Sequence, residues 1–255
     1  MPNQQGIGIG ESDFKVLRLK DYYYIDKTMY IKHILDNTNK VVLITRPRRF
    51  GKTLNMSMLR YYFDCTQKYT KELFDGLKIM EQGEKYTSKQ GYYPCIYMTL
   101  KDVTDTTYEK MLLSMKSAVL ETYREHRYLL ESDKIYDDEK AKINDILWAR
   151  EDENAIRNSI RELVGYLYRH HEKPVILILD EYDVPLQNAY VEGYYDEAVK
   201  FFKTFYGTTF KDNSYLEKTV LTGVSRVAKE KNKNDPFGVL DIAIHMPLGI
   251  TIRRY

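Results

Sequence analysis

An α/β fold is predicted, with a mostly parallel central sheet and helices on both faces, on three observations. The runs Val41-Val42-Leu43-Ile44 and Val175-Ile176-Leu177-Ile178-Leu179 are apolar without alternation, as expected of strands buried on both faces. Between such runs lie longer stretches with helical periodicity, for example Leu54, Met58, Leu59, Tyr62 and Phe63. Strands and helices alternate along the chain, which favours a parallel sheet over separate α and β regions.

The elements follow in order. An extended piece is expected near Tyr22 to Ile25 and a helix near Lys27 to Leu35. Val41 to Thr45 is the first strand of the sheet, and Lys52 to Asp64 the helix after it. Tyr93 to Leu100, led by Pro94, reads as a second strand. Helices then fill Thr106 to Arg127, Asp138 to Ala149 and Asn154 to His170. The strand ending at Asp180 follows, then a helix from Glu192 to Thr208 and a fourth strand from Lys218 to Thr222. No internal repeat and no low-complexity stretch interrupts this order.

Composition narrows the class of protein. With 255 residues, 43% hydrophobic and 30% charged, the chain is long enough to bury a sizeable core. A net charge of +2 supplies no global attraction to nucleic acid, which stays possible as a partner but is not indicated. The first twenty residues are polar and mixed in charge, and the longest apolar runs are strand-length. A cytoplasmic protein without a membrane segment is therefore expected. Cys65 and Cys95 are too few for a disulfide framework and read as reduced thiols in or near the core.

Chemistry concentrates where the first strand ends. Arg46-Pro47-Arg48-Arg49-Phe50-Gly51-Lys52-Thr53-Leu54 reads as a phosphate-binding loop opening a helix. In such a loop the backbone amides surround a phosphate, the lysine ammonium reaches the outer phosphate oxygens, and the Ser/Thr hydroxyl sits on Mg²⁺. Lys52 and Thr53 take those two roles, and the helix directs its positive end at the ligand. The general pattern has glycine where this chain has Arg46. The arginines balance a triphosphate or hold the loop against carboxylates; a nucleic-acid patch is the competing reading.

A loop of this kind needs a carboxylate partner. Asp180 ends the most apolar strand and is the candidate Mg²⁺ ligand with Thr53, while Glu181 is placed to polarise an attacking water as general base. By itself an acid pair after an apolar run also describes a strand turning into solvent. Thr222, at the end of the fourth strand, is the first candidate for sensing the outer phosphate or the water, followed by Ser225 and Arg226. A simple turn at Gly223 with hydroxyls capping a helix competes with it. His170-His171 should point apart at a helix end and suit its dipole rather than bind metal. The 24 tyrosines are expected in half-buried core and interface positions.

Four blocks, Tyr24-Ile25-Asp26-Lys27-Thr28, Arg46 to Thr53, Leu179-Asp180-Glu181-Tyr182-Asp183, and Leu221-Thr222-Gly223-Val224-Ser225-Arg226-Val227-Ala228-Lys229, resemble the predicted AAA-ATPase-like family of bacterial and archaeal proteins. In that family the Arg-Pro-Arg-Arg-Phe-Gly-Lys-Ser/Thr loop is the usual form. The resemblance implies a P-loop NTPase three-layer sandwich in which an additional strand separates the loop strand from the acidic strand. It implies ATP and Mg²⁺ as ligands. The expected division is an N-terminal segment over 1–40 packing on the core, an ATPase domain over 41–230, and a divergent tail over 231–255. Many members carry a PD-(D/E)XK nuclease-like domain after the ATPase, for which the tail is too short. Gly238 to Ile244 or Gly249 to Arg254 could add an outer strand. The expected function is MgATP binding, with hydrolysis driving or switching an unknown protein partner or effector and with possible homo-oligomerisation. A nucleotide-gated interaction module without turnover is the alternative.

Overall fold

The computed structural model describes residues 6–67, 70–150 and 152–224. The chain forms two compact units, one within residues 1–38 and 48–95 and the other within 39–47 and 96–255. Ser225, Arg226 and the two tail segments expected to supply an outer strand lie outside the described residues.

The larger unit is built on four parallel strands, β1 (Val41–Thr45), β2 (Cys95–Thr99), β3 (Val175–Asp180) and β4 (Leu216–Gly223). Their order across the sheet is β1-β4-β3-β2. The fourth strand thus stands between the loop strand and the acidic strand, as expected. Register sets Val41 opposite Thr219 and Leu43 opposite Leu221, and on the other side of β4 sets Leu177 opposite Thr219 and Leu179 opposite Leu221. Because side chains alternate faces along a strand, Val41, Leu43, Leu177, Leu179 and Leu221 share one face. The opposite face carries Val42, Ile44, Ile176, Ile178 and Val220, and ends in Asp180 and Thr222.

The chain passes from β2 to β3 to β4 by steps in one direction, so right-handed crossovers put the intervening helices on a single face. These helices are α5 (Tyr108–Glu125), α6 (Asp137–Leu147), α7 (Glu153–His171), α8 (Val184–Glu192) and α9 (Tyr195–Phe210). Thr107 caps α5 by accepting from Lys110 N, and Asp152 caps α7 by accepting from Ala155 N at 2.8 Å. Met111, Met115 and Val119 of α5, Ile160 and Leu163 of α7, and Phe201 and Phe205 of α9 form one core with the leucines of the first sheet face. Each such side chain contributes about 1.5–3 kcal/mol by leaving water. The tyrosines divide, with Tyr123, Tyr182 and Tyr206 buried in this unit and Tyr136 and Tyr190 exposed, rather than sharing half-buried positions.

The smaller unit holds α1 (Phe14–Leu19), α2 (Met29–Asp36), α3 (Lys52–Phe63) and α4 (Glu84–Thr87), with 3₁₀ turns at Lys71–Phe74 and Lys78–Glu81. Its core is aromatic. Phe14 and Phe74 lie 5.0 Å apart, Tyr62 meets Phe74 edge-on at 4.9 Å, and Met56, Met58 and Leu59 of α3 fill the gaps between them. Cys95 is buried and Cys65 half-buried, both free thiols, and burial pushes the Cys95 thiol up.

Several expectations need correction. The expected helix from Glu192 begins only at Tyr195, since α8 ends at Glu192 and the chain breaks at Gly193. Helices α1 and α8 and the turns between residues 70 and 90 are short and lack the long apolar stripe that periodicity detects. The His170 and His171 rings do not point apart: their centroids are 4.6 Å from each other, and both pack on Tyr128. Burial, aided by the neighbouring His170 charge, pushes His171 down to about 4, so at neutral pH it brings no cation to the helix end.

Candidate functional site

In a parallel sheet every strand ends at the same edge, and ligands of open α/β folds bind outside that edge. Asp180 is 1% exposed at the end of β3, yet it is a carboxylate at the end of an otherwise apolar run. Its burial is compensated locally. The Thr222 hydroxyl donates to Asp180 Oδ1, and Glu181 N donates to the same oxygen at 3.1 Å. Neither bond engages Oδ2. Thr222 itself is fully buried, and its hydroxyl is directed at Asp180. Through that bond Thr222 orients the acid.

The turn after β3 is then laced to the end of β4. Glu181 adopts φ 54, a left-handed conformation that strains a residue with a Cβ, and Tyr182 N resumes bonding to Thr222 O at 3.0 Å. Asp183 is fully buried and accepts from Val224 N at 2.9 Å and from Gln187 Nε2 at 2.6 Å. The Tyr206 hydroxyl fixes Tyr182 O at 2.9 Å. Against this turn only glycine fits at position 223. A Cβ there would stand 2.5 Å from Asp183 Oδ1 and 2.7 Å from Tyr182 Cε1. Of the acids in this turn, Glu181 is the half-exposed one, whereas Asp180 and Asp183 are closed in.

Asp183 and Gly223 shape this turn, and neither was among the candidate site residues of the sequence. Acids three apart flanking a turn after an apolar strand were a usable signal for Asp183. Nothing local marked Gly223, because the side chains that exclude a Cβ there come from a segment distant in sequence.

The loop after β1 has a different character. Arg46 N continues the ladder by donating to Gly223 O at 3.1 Å, and the Arg46 guanidinium folds back on Thr45 O at 3.2 Å. Pro47, Arg48, Arg49 and Phe50 are exposed, Phe50 by 59%. Arg49 (φ 67) and Gly51 (φ 71, ψ 26) are left-handed on either side of Phe50, which is not. Alternating handedness turns successive amides toward a common side, the backbone arrangement that makes an anion-binding concavity. Gly51 caps α3 and Asn55 N closes its first turn on Gly51 O at 3.0 Å. Lys52, buried, and Thr53 and Leu54, both half-buried, form the first helical turn, where unpaired amides and the helix dipole favour negative charge.

Among the described residues no group of three or more His, Cys, Asp or Glu forms a ready metal cage, and no helix is long and apolar enough to cross a membrane. Mg²⁺ needs no such cage, since it keeps several waters and binds through one or two carboxylates plus ligand phosphates.

The family model described as "Predicted AAA-ATPase" matches residues 7–231, and the chain belongs to this family. Membership carries nucleotide binding as its general property. Comparison with curated proteins finds no match, and neither does comparison with solved structures.

Proposed function

We propose that this member of the predicted AAA-ATPase family binds MgATP and hydrolyses it to ADP and phosphate, using the change of nucleotide state to drive or switch a partner protein. The observation that carries the reading is the left-handed pair Arg49 and Gly51 opening α3 at Lys52, directly after a buried parallel strand. The stretch Arg46 to Leu54 would hold the triphosphate through amides and cations, with Lys52 as its main cation. Thr53 and Asp180 would hold Mg²⁺, whose charge would offset that of the phosphates. The bonds from Thr222 and Glu181 support this role, because they preset the carboxylate through Oδ1. Glu181, half-exposed beside it, would take the proton from an attacking water. Thr222 would orient Asp180, and Arg226 keeps its role as a candidate contact to the transferred phosphate.

Calorimetric titration of Lys52→Ala with MgATP tests the assignment. Removing a charge-assisted contact in a shielded site lowers affinity roughly ten- to a hundredfold. Affinity equal to that of the wild type would remove the phosphate-loop assignment. Binding without phosphate release by the wild-type chain would instead identify a nucleotide-gated interaction module.

A further inference from the structure

The segment Tyr24 to Thr28 is a surface stretch without regular structure, yet it is among the most tightly bonded parts of the smaller unit. Asp26 Oδ1 accepts from Thr28 N at 2.8 Å and from the Thr28 hydroxyl at 2.7 Å, while its Oδ2 accepts from Lys78 N at 2.8 Å. The Thr28 hydroxyl in turn accepts from Ile79 N at 3.2 Å. Tyr24 packs edge-on against Phe14 at 5.3 Å, accepts from Lys27 N at 3.2 Å, and donates to Met58 Sδ on α3 at 3.3 Å. Burial works against the Asp26 charge, but the Lys78 amide and both Thr28 donors outweigh it and hold the carboxyl below its usual range. Asp26, Thr28 and Tyr24 are therefore occupied in fixing the backbone.

Lys27 is the residue they present. Its side chain is exposed, and its ammonium makes no ion pair or hydrogen bond with any described residue. That ammonium lies 3.9 Å from the point where a Cβ on Gly51 would stand. It therefore stands beside the left-handed glycine that opens α3, next to a stretch in which Arg46, Arg48, Arg49 and Lys52 are already cationic and no acid occurs. Bringing another positive charge to such a place is unfavourable by itself and becomes favourable when a polyanion sits in the loop. A braced backbone that delivers an exposed cation there has little purpose in the fold alone.

We infer that Lys27 is a second lysine of the phosphate site, reaching from outside the loop to the polyphosphate of a nucleoside triphosphate. The inference rests on the reading of Arg46 to Leu54 as the phosphate loop. A ligand with more phosphate charge gains more from an added ammonium, so Lys27 raises affinity for the triphosphate more than for the diphosphate.

Calorimetric titrations with MgATP and with MgADP on the wild type, Lys27→Ala, Lys27→Arg and Lys15→Ala, joined to thermal unfolding of each, test this. The expected result is a roughly ten- to a hundredfold loss of MgATP affinity in Lys27→Ala. MgADP should lose less, the unfolding temperature should not move, Lys27→Arg should recover most of the loss, and Lys15→Ala on α1 should bind as the wild type. Wild-type MgATP affinity in Lys27→Ala overturns the inference while leaving the loop assignment standing. Loss of binding together with a lowered unfolding temperature also overturns it, by making Lys27 structural. A wild-type chain that binds neither nucleotide overturns the loop reading and this inference with it.

Discussion

The ends of β3 and β4 and the loop after β1 both carry the polar residues expected of a nucleotide site, but they are built by opposite means. At the strand ends the polar groups are tied to one another: Thr222 bonds Asp180, Asp183 holds Val224 N through Oδ2, and Gly223 admits no side chain. In the loop the arginines at 48 and 49 and Phe50 face solvent, and the geometry resides in the backbone of Arg49 and Gly51. A buried carboxylate must be hydrogen-bonded to be tolerated, so its orientation is fixed whether or not a ligand is present. Exposed cations carry no such requirement, and their organisation is left to the anion. Damage to the closed-in groups at the strand ends should therefore reach folding, and damage in the loop should reach ligand binding more than folding.

The largest effect expected is on turnover. Glu181→Gln keeps the shape of a half-exposed side chain but cannot accept a proton, so phosphate release should fall by about a hundredfold or more, the range general bases supply. Nucleotide affinity and the unfolding midpoint should stay near wild type. A phosphate-release rate equal to that of the wild type would take the base role from Glu181 and leave its left-handed backbone as its only contribution.

Next in size is Gly223→Ala. The added methyl would press on Asp183 and Tyr182 inside a closed turn, and overpacking of this kind lowers stability by about 1–3 kcal/mol. Urea denaturation measures it. An unchanged midpoint would mean that the lacing between the two strand ends is looser than the contacts imply, and the contrast between the two regions would fail.

The smallest effect belongs to the loop. Gly51→Ala places a Cβ in a left-handed conformation, at about 1–2 kcal/mol, but the nearest atom to that Cβ is the exposed ammonium of Lys27, at an ordinary contact distance of 3.9 Å, rather than a packed core. Stability should drop less than in Gly223→Ala, while MgATP affinity measured by titration should drop more. The reverse ranking would show that the loop, too, is fixed by packing.

The strands and the loop were legible in the sequence because their signals are local. Val41–Thr45 was read to the residue, and the acidic strand was read to Asp180, since uninterrupted apolar runs have few other uses in a soluble fold. The Gly-Lys-Thr turn was legible because its chemistry lies in adjacent residues. Short helices such as α1 and α8 escaped because six to nine residues hold too little periodicity to stand out. Family resemblance supplied the position of β4 between β1 and β3, which no local pattern contains.

What only the tertiary structure decided is which polar groups meet. Thr222 reaches Asp180 because register sets Leu179 against Leu221, carrying the next residue of each strand to the same face at the same edge. Asp183 fills the space above Gly223, and Lys27 stands at Gly51, through contacts between segments far apart in the chain. The sequence by itself determined the strands, the longer helices and the turn that opens α3, because propensity, burial pattern and turn geometry act between near neighbours. Partners at long range are selected when the sheet closes and buried polar atoms must each find a bond. That selection depends on three-dimensional register, which the order of residues along one strand does not contain.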